Sequence, residues 1–153
     1  SEDIYRKLNA GRLAPVLETL KVLKAEGIWL ELIVLLVPTY TDRMEMVKQM
    51  CDWFLNNLGP DAPVHFLRFH PQYKLTHLPP TSVSFLEEAR KTALSMGLHH
   101  VYVGNVPNVE ANNTYCPGCK KTIVSRVGFS VTENRIKGGK CGYCGRRIAG
   151  VWA

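Results

Sequence analysis

The sequence predicts an α/β fold in which a parallel sheet of about three βα units is followed by a zinc ribbon. Short apolar segments begin near residues 28, 64 and 100 and alternate with segments of helical periodicity, a spacing typical of βα units. Two Cys-x2-Cys pairs follow in the last quarter of the chain. We therefore predict two units, at residues 1–113 and 114–153, joined by a polar, turn-rich segment.

The first βα unit is preceded by a helix and opens with a nearly continuous apolar segment. Leucines and valines recur at helical spacing over residues 13–23, and Gly27 is a suitable helix stop. Residues 28–37 are short and rich in branched side chains, which predicts a strand that is buried on both faces. After the turn at Pro38, either Thr41 or Asp42 is expected to cap a helix that runs to about residue 57.

The pattern then repeats twice. Residues 64–69 read as the second strand, and a proline-rich polar loop follows. Thr81 or Ser82 is expected to cap the next helix, which Gly97 ends. Residues 100–103 complete the set as the third strand. The carboxyl ends of parallel strands form the ligand-binding edge of such sheets, so the loops after these strands are the place to look for a site.

The strongest chemical signal is a predicted structural metal site. Its four ligands are Cys116, Cys119, Cys141 and Cys144. Two Cys-x2-Cys turns complete a tetrahedral thiolate site, and zinc is the expected ion, with iron on the same ligands as the alternative. Residues 122–127 and 128–132 are expected to form short strands between the pairs, and residues 147–152 a closing strand. Cys51 lies in an apolar helical segment and is expected to be a core residue.

Charge is distributed unevenly along the chain. Residues 116–153 carry eight basic side chains and Glu133 as the single acidic one, whereas residues 1–115 carry 11 basic and 12 acidic side chains. A basic tail of this kind suits an acidic partner, or it offsets the negative charge of a metal-bound thiolate cluster. Paired cysteines with metal-ligand spacing favour a reducing, cytoplasmic localisation, and no apolar segment is long enough to span a membrane.

The strand-end loops contain one candidate binding residue and no complete catalytic set. His70 follows the second strand and could bind the hydroxyls or phosphate of a ligand; the alternative is a loop histidine that ends a strand. Asp42 follows the first strand and is most simply a helix cap. Nucleotide-binding glycine motifs and serine-nucleophile motifs are absent.

Four segments resemble the C-terminal half of a radical SAM enzyme. They are residues 30–42, residues 64–73, the Val-Tyr-Val-Gly-Asn-Val-Pro segment at residues 101–107, and the tail that ends in Ala-Gly-Val-Trp at residue 152. The resemblance covers essentially the whole chain. It is strongest to the radical SAM member of the AmmeMemoRadiSam system, a homologue of pyruvate formate-lyase activating enzymes.

The resemblance implies a partial (β/α) barrel, of which this chain supplies the later units. It also implies a [4Fe-4S] cluster that cleaves S-adenosylmethionine to a 5′-deoxyadenosyl radical. The Cys-x3-Cys-x2-Cys loop that holds the cluster in this family is absent here. His70 matches a family position that contacts S-adenosylmethionine, and Arg68 is a second candidate for that cofactor. The family usually has glycine where this chain has Thr39, whereas Asp42 is retained.

These inferences lead to two functional hypotheses. In the first, the chain is a C-terminal fragment of such an enzyme, inactive alone, whose partners are the missing N-terminal half and a candidate protein substrate. Its exposed sheet edge at residues 28–37 then invites dimerisation. In the second, an autonomous α/β domain binds nucleic acid or a protein through its basic ribbon. We do not expect nucleic acid, because the basic residues are spread and few aromatic residues lie among them.

Overall fold

The computed structural model describes residues 1–107 and 110–152. The helices are α1 (Glu2–Asn9), α2 (Leu13–Ala25), α3 (Met44–Leu58) and α4 (Val83–Met96). The strands are β1 (Leu32–Leu36), β2 (Val64–Arg68), β3 (Val101–Gly104), β4 (Thr114–Tyr115), β5 (Thr122–Val127), β6 (Ser130–Asn134), β7 (Ile136–Lys137) and β8 (Lys140–Cys141). None of the helices in these residue ranges has the length and apolarity that crossing a membrane requires.

Strands β1, β2 and β3 form a parallel sheet in that order, which confirms the predicted α/β architecture. Leu32 pairs with Val64, and Val64 pairs in turn with Val101. Helix α3 connects β1 to β2, and α4 connects β2 to β3, so each connection is a βα crossover. A barrel is not formed by the described residues, whose parallel sheet has three strands.

The core lies between the sheet and helices α3 and α4. Its central side chains include Leu36, Val64, Phe66 and Val103 from the strands and Val47, Cys51, Leu86 and Ala89 from the helices. Cys51 is fully buried, as predicted, and burial raises the pKa of its thiol to about 11. Alternate residues of each strand supply this core because side chains of a strand point to opposite faces.

The helix caps match the prediction at one helix and not at the other. Ser82 precedes α4, and its hydroxyl accepts a hydrogen bond from the Phe85 N–H at 3.1 Å, as expected. Helix α3 begins after Arg43 without a side-chain cap, so the predicted cap at Thr41 or Asp42 is wrong. Their side chains accept hydrogen bonds from backbone N–H groups of the preceding turn instead. The side-chain oxygens of Thr41 and Asp42 therefore accept hydrogen bonds within the turn and do not cap helix α3.

The opposite face of the sheet is open at β1. Ile33 and Leu35 are 71% and 45% exposed. The prediction that the first strand is buried on both faces is therefore wrong, and the strand is also shorter than the apolar segment at residues 28–37. Strand β1 is an edge of the sheet in the described part of the chain, since it pairs there only with β2.

The C-terminal unit is a small antiparallel module that packs beside β3. Strands β4, β5 and β6 form one sheet, and β7 and β8 form a hairpin. The predicted closing strand at residues 147–152 is wrong, because only Arg147 makes a bridge there, to Lys140. A hydrogen bond of 2.9 Å between the hydroxyls of Tyr102 and Thr114 joins this module to the parallel sheet.

Candidate metal centre and strand-end site

The four predicted metal ligands converge on one point. Cys116 follows β4 and Cys141 ends β8, while Cys119 and Cys144 lie in the turns that follow. All four Sγ atoms lie within 4.8 Å of one another. The Cys116–Cys144 and Cys119–Cys141 sulfur pairs are 3.6 and 3.8 Å apart. A tetrahedral zinc ion with Zn–S bonds of about 2.3 Å places its sulfurs about 3.8 Å apart, so the geometry is compatible with a zinc ribbon.

Backbone N–H groups prepare one of these thiols for metal binding. Burial favours the neutral form of Cys141, but hydrogen bonds from the N–H groups of Tyr143 and Cys144, together with those from the thiols of Cys116 and Cys144, lower the pKa of this thiol to about 7. The Tyr143 N–H lies 3.5 Å from the Cys141 sulfur. Since thiolates are the metal-binding form, this turn favours a bound cation at neutral pH.

Apolar side chains enclose the cysteine cluster. Ile123 and Ile148 are buried against Cys116 and Cys141, and Ile136 packs beside them. The small core of the ribbon is thus built around the sulfur atoms. Such a core holds few apolar contacts, so a metal ion bound to these cysteines would supply much of the stability of the module.

A second group of residues meets at the carboxyl ends of β2 and β3. His70 is exposed there, and its Nε2 lies 3.4 Å from the backbone oxygen of Asn105. The Asn105 side chain donates a hydrogen bond of 3.1 Å to the backbone oxygen of Arg68. The structure therefore brings His70 to the ligand-binding edge of the sheet. Asn105 was not singled out in the sequence, although an asparagine after a strand-ending glycine is a recognisable turn signal.

Arg68 lies beside His70 in sequence but anchors a loop. Its Nε donates to the backbone oxygen of Thr81 at 2.9 Å. The Thr81 hydroxyl accepts from the Phe69 N–H and donates to the Leu36 carbonyl, so Thr81 links the ends of β1 and β2. The terminal guanidinium nitrogens of Arg68 are the groups that it can still offer to a ligand.

Two residues near this edge have a left-handed backbone, a conformation that the structure also shows at Ala10, Tyr73 and Lys120. Thr39 and Asn105 have φ angles of 66° and 59°, in the left-handed region that favours glycine. Thr39 is the more unusual case because it is β-branched, and its N–H donates to Asp42 at 2.7 Å. Left-handed residues that follow two strands give the edge a fixed shape, and strain of this kind often accompanies binding loops.

A third feature lies between the open sheet face and the ribbon. A cavity of about 910 Å³ is lined there by residues of both units, among them Trp29, Glu31, His65, His100, Tyr102 and Trp152. His65 Nε2 and Glu31 Oε2 lie 2.8 Å apart, and the His65 ring stacks on Tyr102 with ring centres 4.9 Å apart. Sequence reasoning missed this cluster, since its members come from three segments that only the sheet brings together.

The fold and the site together define an α/β protein with a C-terminal four-cysteine module that could hold a metal ion. No protein-family model matches the chain. The chain is 42% identical over 148 residues to an uncharacterized protein of Methanocaldococcus jannaschii, and the match covers 95% of the chain. The matched region is 44% of the length of that relative, so the chain spans less than half of it.

Proposed function

We propose that this chain is the C-terminal part of a radical SAM enzyme and is inactive on its own. One observation carries the proposal: in the described residues, two crossover helices, α3 and α4, pack on one face of the three parallel strands, while Ile33 and Leu35 remain exposed on the other face. A segment of a (β/α) barrel has this form, because its helices cover the outside and its inner face needs further strands. The relative from Methanocaldococcus jannaschii is more than twice as long as the region that matches this chain. Its length supports the proposal that this chain is part of a longer protein.

The strand-end residues fit a role in cofactor binding. An exposed imidazole at the carboxyl end of a parallel strand can donate to or accept from the ribose hydroxyls of S-adenosylmethionine, which suits His70. Thr39 has a left-handed φ at the position where the resembled family usually has glycine, so the backbone shape agrees with that family. When bound, S-adenosylmethionine and the iron–sulfur cluster would supply the radical chemistry.

The cysteines of this chain do not fit the iron–sulfur cluster of the radical chemistry. Cys51 is buried in the core and holds its proton, and the other four converge on the ribbon site. The proposal therefore assigns the cluster to polypeptide that precedes this chain in the longer enzyme. In the longer enzyme, His70 and Arg68 would help to hold S-adenosylmethionine at the carboxyl ends of the strands, and the cofactor would supply radical chemistry toward a protein or a small molecule.

The test begins with the DNA upstream of Ser1. A continuing reading frame that encodes Cys-x3-Cys-x2-Cys is expected, and the longer protein, purified without oxygen, should release 5′-deoxyadenosine from S-adenosylmethionine. His70→Ala should raise the KM for S-adenosylmethionine, whereas His77→Ala, in an exposed loop position, should not. A start codon directly before this chain, or a longer protein that binds no iron–sulfur cluster, would contradict the proposal.

One observation favours the second candidate, a binding module for nucleic acid. The half-exposed Tyr143 ring has the cations of Lys121 and Arg135 near it, at 4.9 and 5.9 Å from its centre. Bases stack on exposed rings of this kind and cations contact the phosphates. The affinity for single-stranded RNA, measured over a range of salt concentrations, tests this second candidate. Micromolar affinity that falls steeply with salt favours a nucleic-acid-binding module, and weak binding at low salt excludes one.

A further inference from the structure

The cavity between the parallel sheet and the ribbon holds two charged side chains of opposite sign. Its volume of about 910 Å³ lies within the range of small-molecule pockets. Among the described lining residues, Glu31 is a carboxylate and Arg126 is a guanidinium, and no lysine or aspartate lies with them. Leu67, Ile148 and Trp152 add apolar wall. The lining therefore offers one group that only accepts hydrogen bonds and one that only donates them.

Glu31 is the charged group at the sheet end of the cavity. It directly precedes β1, and its side chain is 50% exposed. Its Oε2 lies 2.8 Å from His65 Nε2, and its Oε1 lies 3.3 Å from the Trp29 indole nitrogen. These two contacts hold the carboxylate in place, and each oxygen has a second lone pair for another donor. Because the carboxylate is open to solvent, the ammonium group of a ligand can reach it.

Arg126 is the charged group at the ribbon end. It lies in β5 and is half-buried. Its Nη1 donates to the backbone oxygen of Asn112 and to the hydroxyl of Thr114, each at 2.9 Å. These bonds fix the guanidinium plane and leave the edge formed by Nε and Nη2 to donate. Such an edge matches the two oxygens of a carboxylate, so a ligand carboxylate can bind there with both oxygens.

A stacked pair of rings separates the two charged groups. The rings of His65 and Tyr102 are stacked with centres 4.9 Å apart. Glu31 contacts His65 on the β1 side, whereas the Arg126 guanidinium lies 5.8 Å from the centre of the Tyr102 ring on the ribbon side. Neighbouring strands are about 4.8 Å apart, so the two strand spacings from β1 to β3 place the charges roughly 10 Å from each other.

We propose that this cavity binds a small zwitterion, in which an apolar body joins an amine to a carboxylate at a distance of about 10 Å. The amine donates to Glu31, and the carboxylate accepts from Arg126. A dianion would meet the Glu31 carboxylate and a dication would meet Arg126, so the two residues together select against both. The site is distinct from the strand-end edge at His70, and the inference does not rest on radical chemistry.

The first test compares ligands that differ in one charge. 8-Aminooctanoate, whose extended chain spans about 10 Å, is titrated calorimetrically into the metal-loaded chain at about pH 8, where both of its end groups are charged. In 8-hydroxyoctanoate a hydroxyl replaces the ammonium, and in 8-aminooctanamide a neutral amide replaces the carboxylate. The zwitterion is expected to bind with a Kd of about 1 mM or lower, and about three- to tenfold more tightly than either control, since each charged contact is partly exposed. A zwitterion that does not bind in this range, or three equal affinities, overturns the proposal.

The second test assigns each end of the ligand to its residue. Glu31→Gln, which keeps the length of the side chain, should weaken the binding of 8-aminooctanoate about three- to tenfold and leave that of 8-hydroxyoctanoate unchanged. Arg126→Met should do the same to 8-aminooctanoate and leave 8-aminooctanamide unchanged. Glu87→Gln, at an exposed position of α4, should change neither affinity. Equal loss of all three ligands in Glu31→Gln overturns the assignment, and this result can be read even if the Arg126 variant does not fold.

Discussion

The hydroxyl of Thr81 donates a hydrogen bond of 2.6 Å to the backbone oxygen of Leu36, 45 residues earlier in the chain. The same hydroxyl accepts a hydrogen bond from the Phe69 N–H at 2.8 Å. One buried side chain therefore fixes the carboxyl ends of β1 and β2 relative to each other. The shape of the sheet edge at the carboxyl ends of these strands depends on this contact.

Replacement of Thr81 by valine should destabilise the protein by about 2–4 kcal/mol, because the substitution leaves two buried backbone groups without partners. Chemical denaturation followed by circular dichroism measures the loss. Thr76→Val, at an exposed position of the same loop, should change the free energy of unfolding by less than about 0.5 kcal/mol. A Thr81 variant as stable as the control would show that the loop does not depend on this hydroxyl.

Cys119→Ser should abolish metal binding and unfold the ribbon while the parallel sheet stays folded. The reason is that the ribbon core is built on the sulfur atoms, whereas the sheet has its own core. Metal analysis gives the ion content, and amide NMR spectra show which unit unfolds. Cys51→Ala should keep full metal content, since Cys51 lies in the sheet core. Full metal content in the Cys119 variant would contradict the ribbon assignment.

Stability should decrease as the pH falls below about 6.5, partly through His100. Burial lowers the pKa of this imidazole in the folded state, so the unfolded chain binds the proton more readily. Above about pH 6.5, the neutral His100 side chain costs the folded state nothing in proton binding. Below that pH, the free energy of unfolding falls by up to about 1.4 kcal/mol per pH unit through this residue. Unfolding across the range from acidic to neutral pH should show a smaller pH dependence in His100→Gln than in the wild type, with metal held at saturation. Parallel curves for the two proteins would rule out this role.

Thr39→Gly should stabilise the protein by about 0.5–1 kcal/mol. A β-branched residue at a φ of 66° is strained, and glycine adopts this conformation without strain, although it loses more backbone entropy on folding. Thr39→Ala should increase the stability by less than Thr39→Gly does, because alanine retains the Cβ atom that is strained at this φ angle. Thermal unfolding of the three proteins measures the order. Destabilisation by glycine would mean that Thr39 makes a contact worth more than its strain.

The open face of β1 should make the isolated chain associate at high concentration. Ile33 and Leu35 expose apolar surface next to an unpaired strand edge, a combination that favours pairing between copies. Light scattering should detect dimers in the wild type and fewer in Ile33→Lys. Val22→Lys, which places the same charge at an exposed position of α2, should associate like the wild type. A wild-type chain that remains monomeric at high concentration would contradict this expectation.

The sequence predicted the features that are local in the chain. The Cys-x2-Cys pairs were sufficient to identify the four residues that converge on the metal site, because each pair forms within one turn. Ser82 was recognisable as a cap for the same reason. Helix α1 was not anticipated. Its segment is polar on average and has no buried residue, and its apolar side chains, Ile4, Tyr5 and Leu8, cover only one short face, so too few residues were available to predict a helix from periodicity.

Features that depend on distant segments could not be predicted. The continuous apolar sequence of β1 indicated that both faces of the strand are buried, but one face, with Ile33 and Leu35, is exposed. The apolar pattern of a strand does not show which segment packs on each of its faces. The contact between Glu31 and His65 joins residues 34 positions apart through the register of β1 and β2. His70 was identified by position, whereas its contact with Asn105 became visible only when β3 was placed beside β2.

The crossover connections also determine the order in which the two units can form. Pairing Leu32 with Val64 requires the chain to close a loop that contains a whole helix, whereas β5 and β6 meet across the short turn between Val127 and Ser130. Contacts distant in sequence form slowly, so the sheet folds more slowly than the ribbon hairpin. During translation the slower unit emerges first, and synthesis of the ribbon gives it a further interval of roughly 2–8 s. The order of synthesis thus lets the sheet begin folding before the basic ribbon can interfere with it.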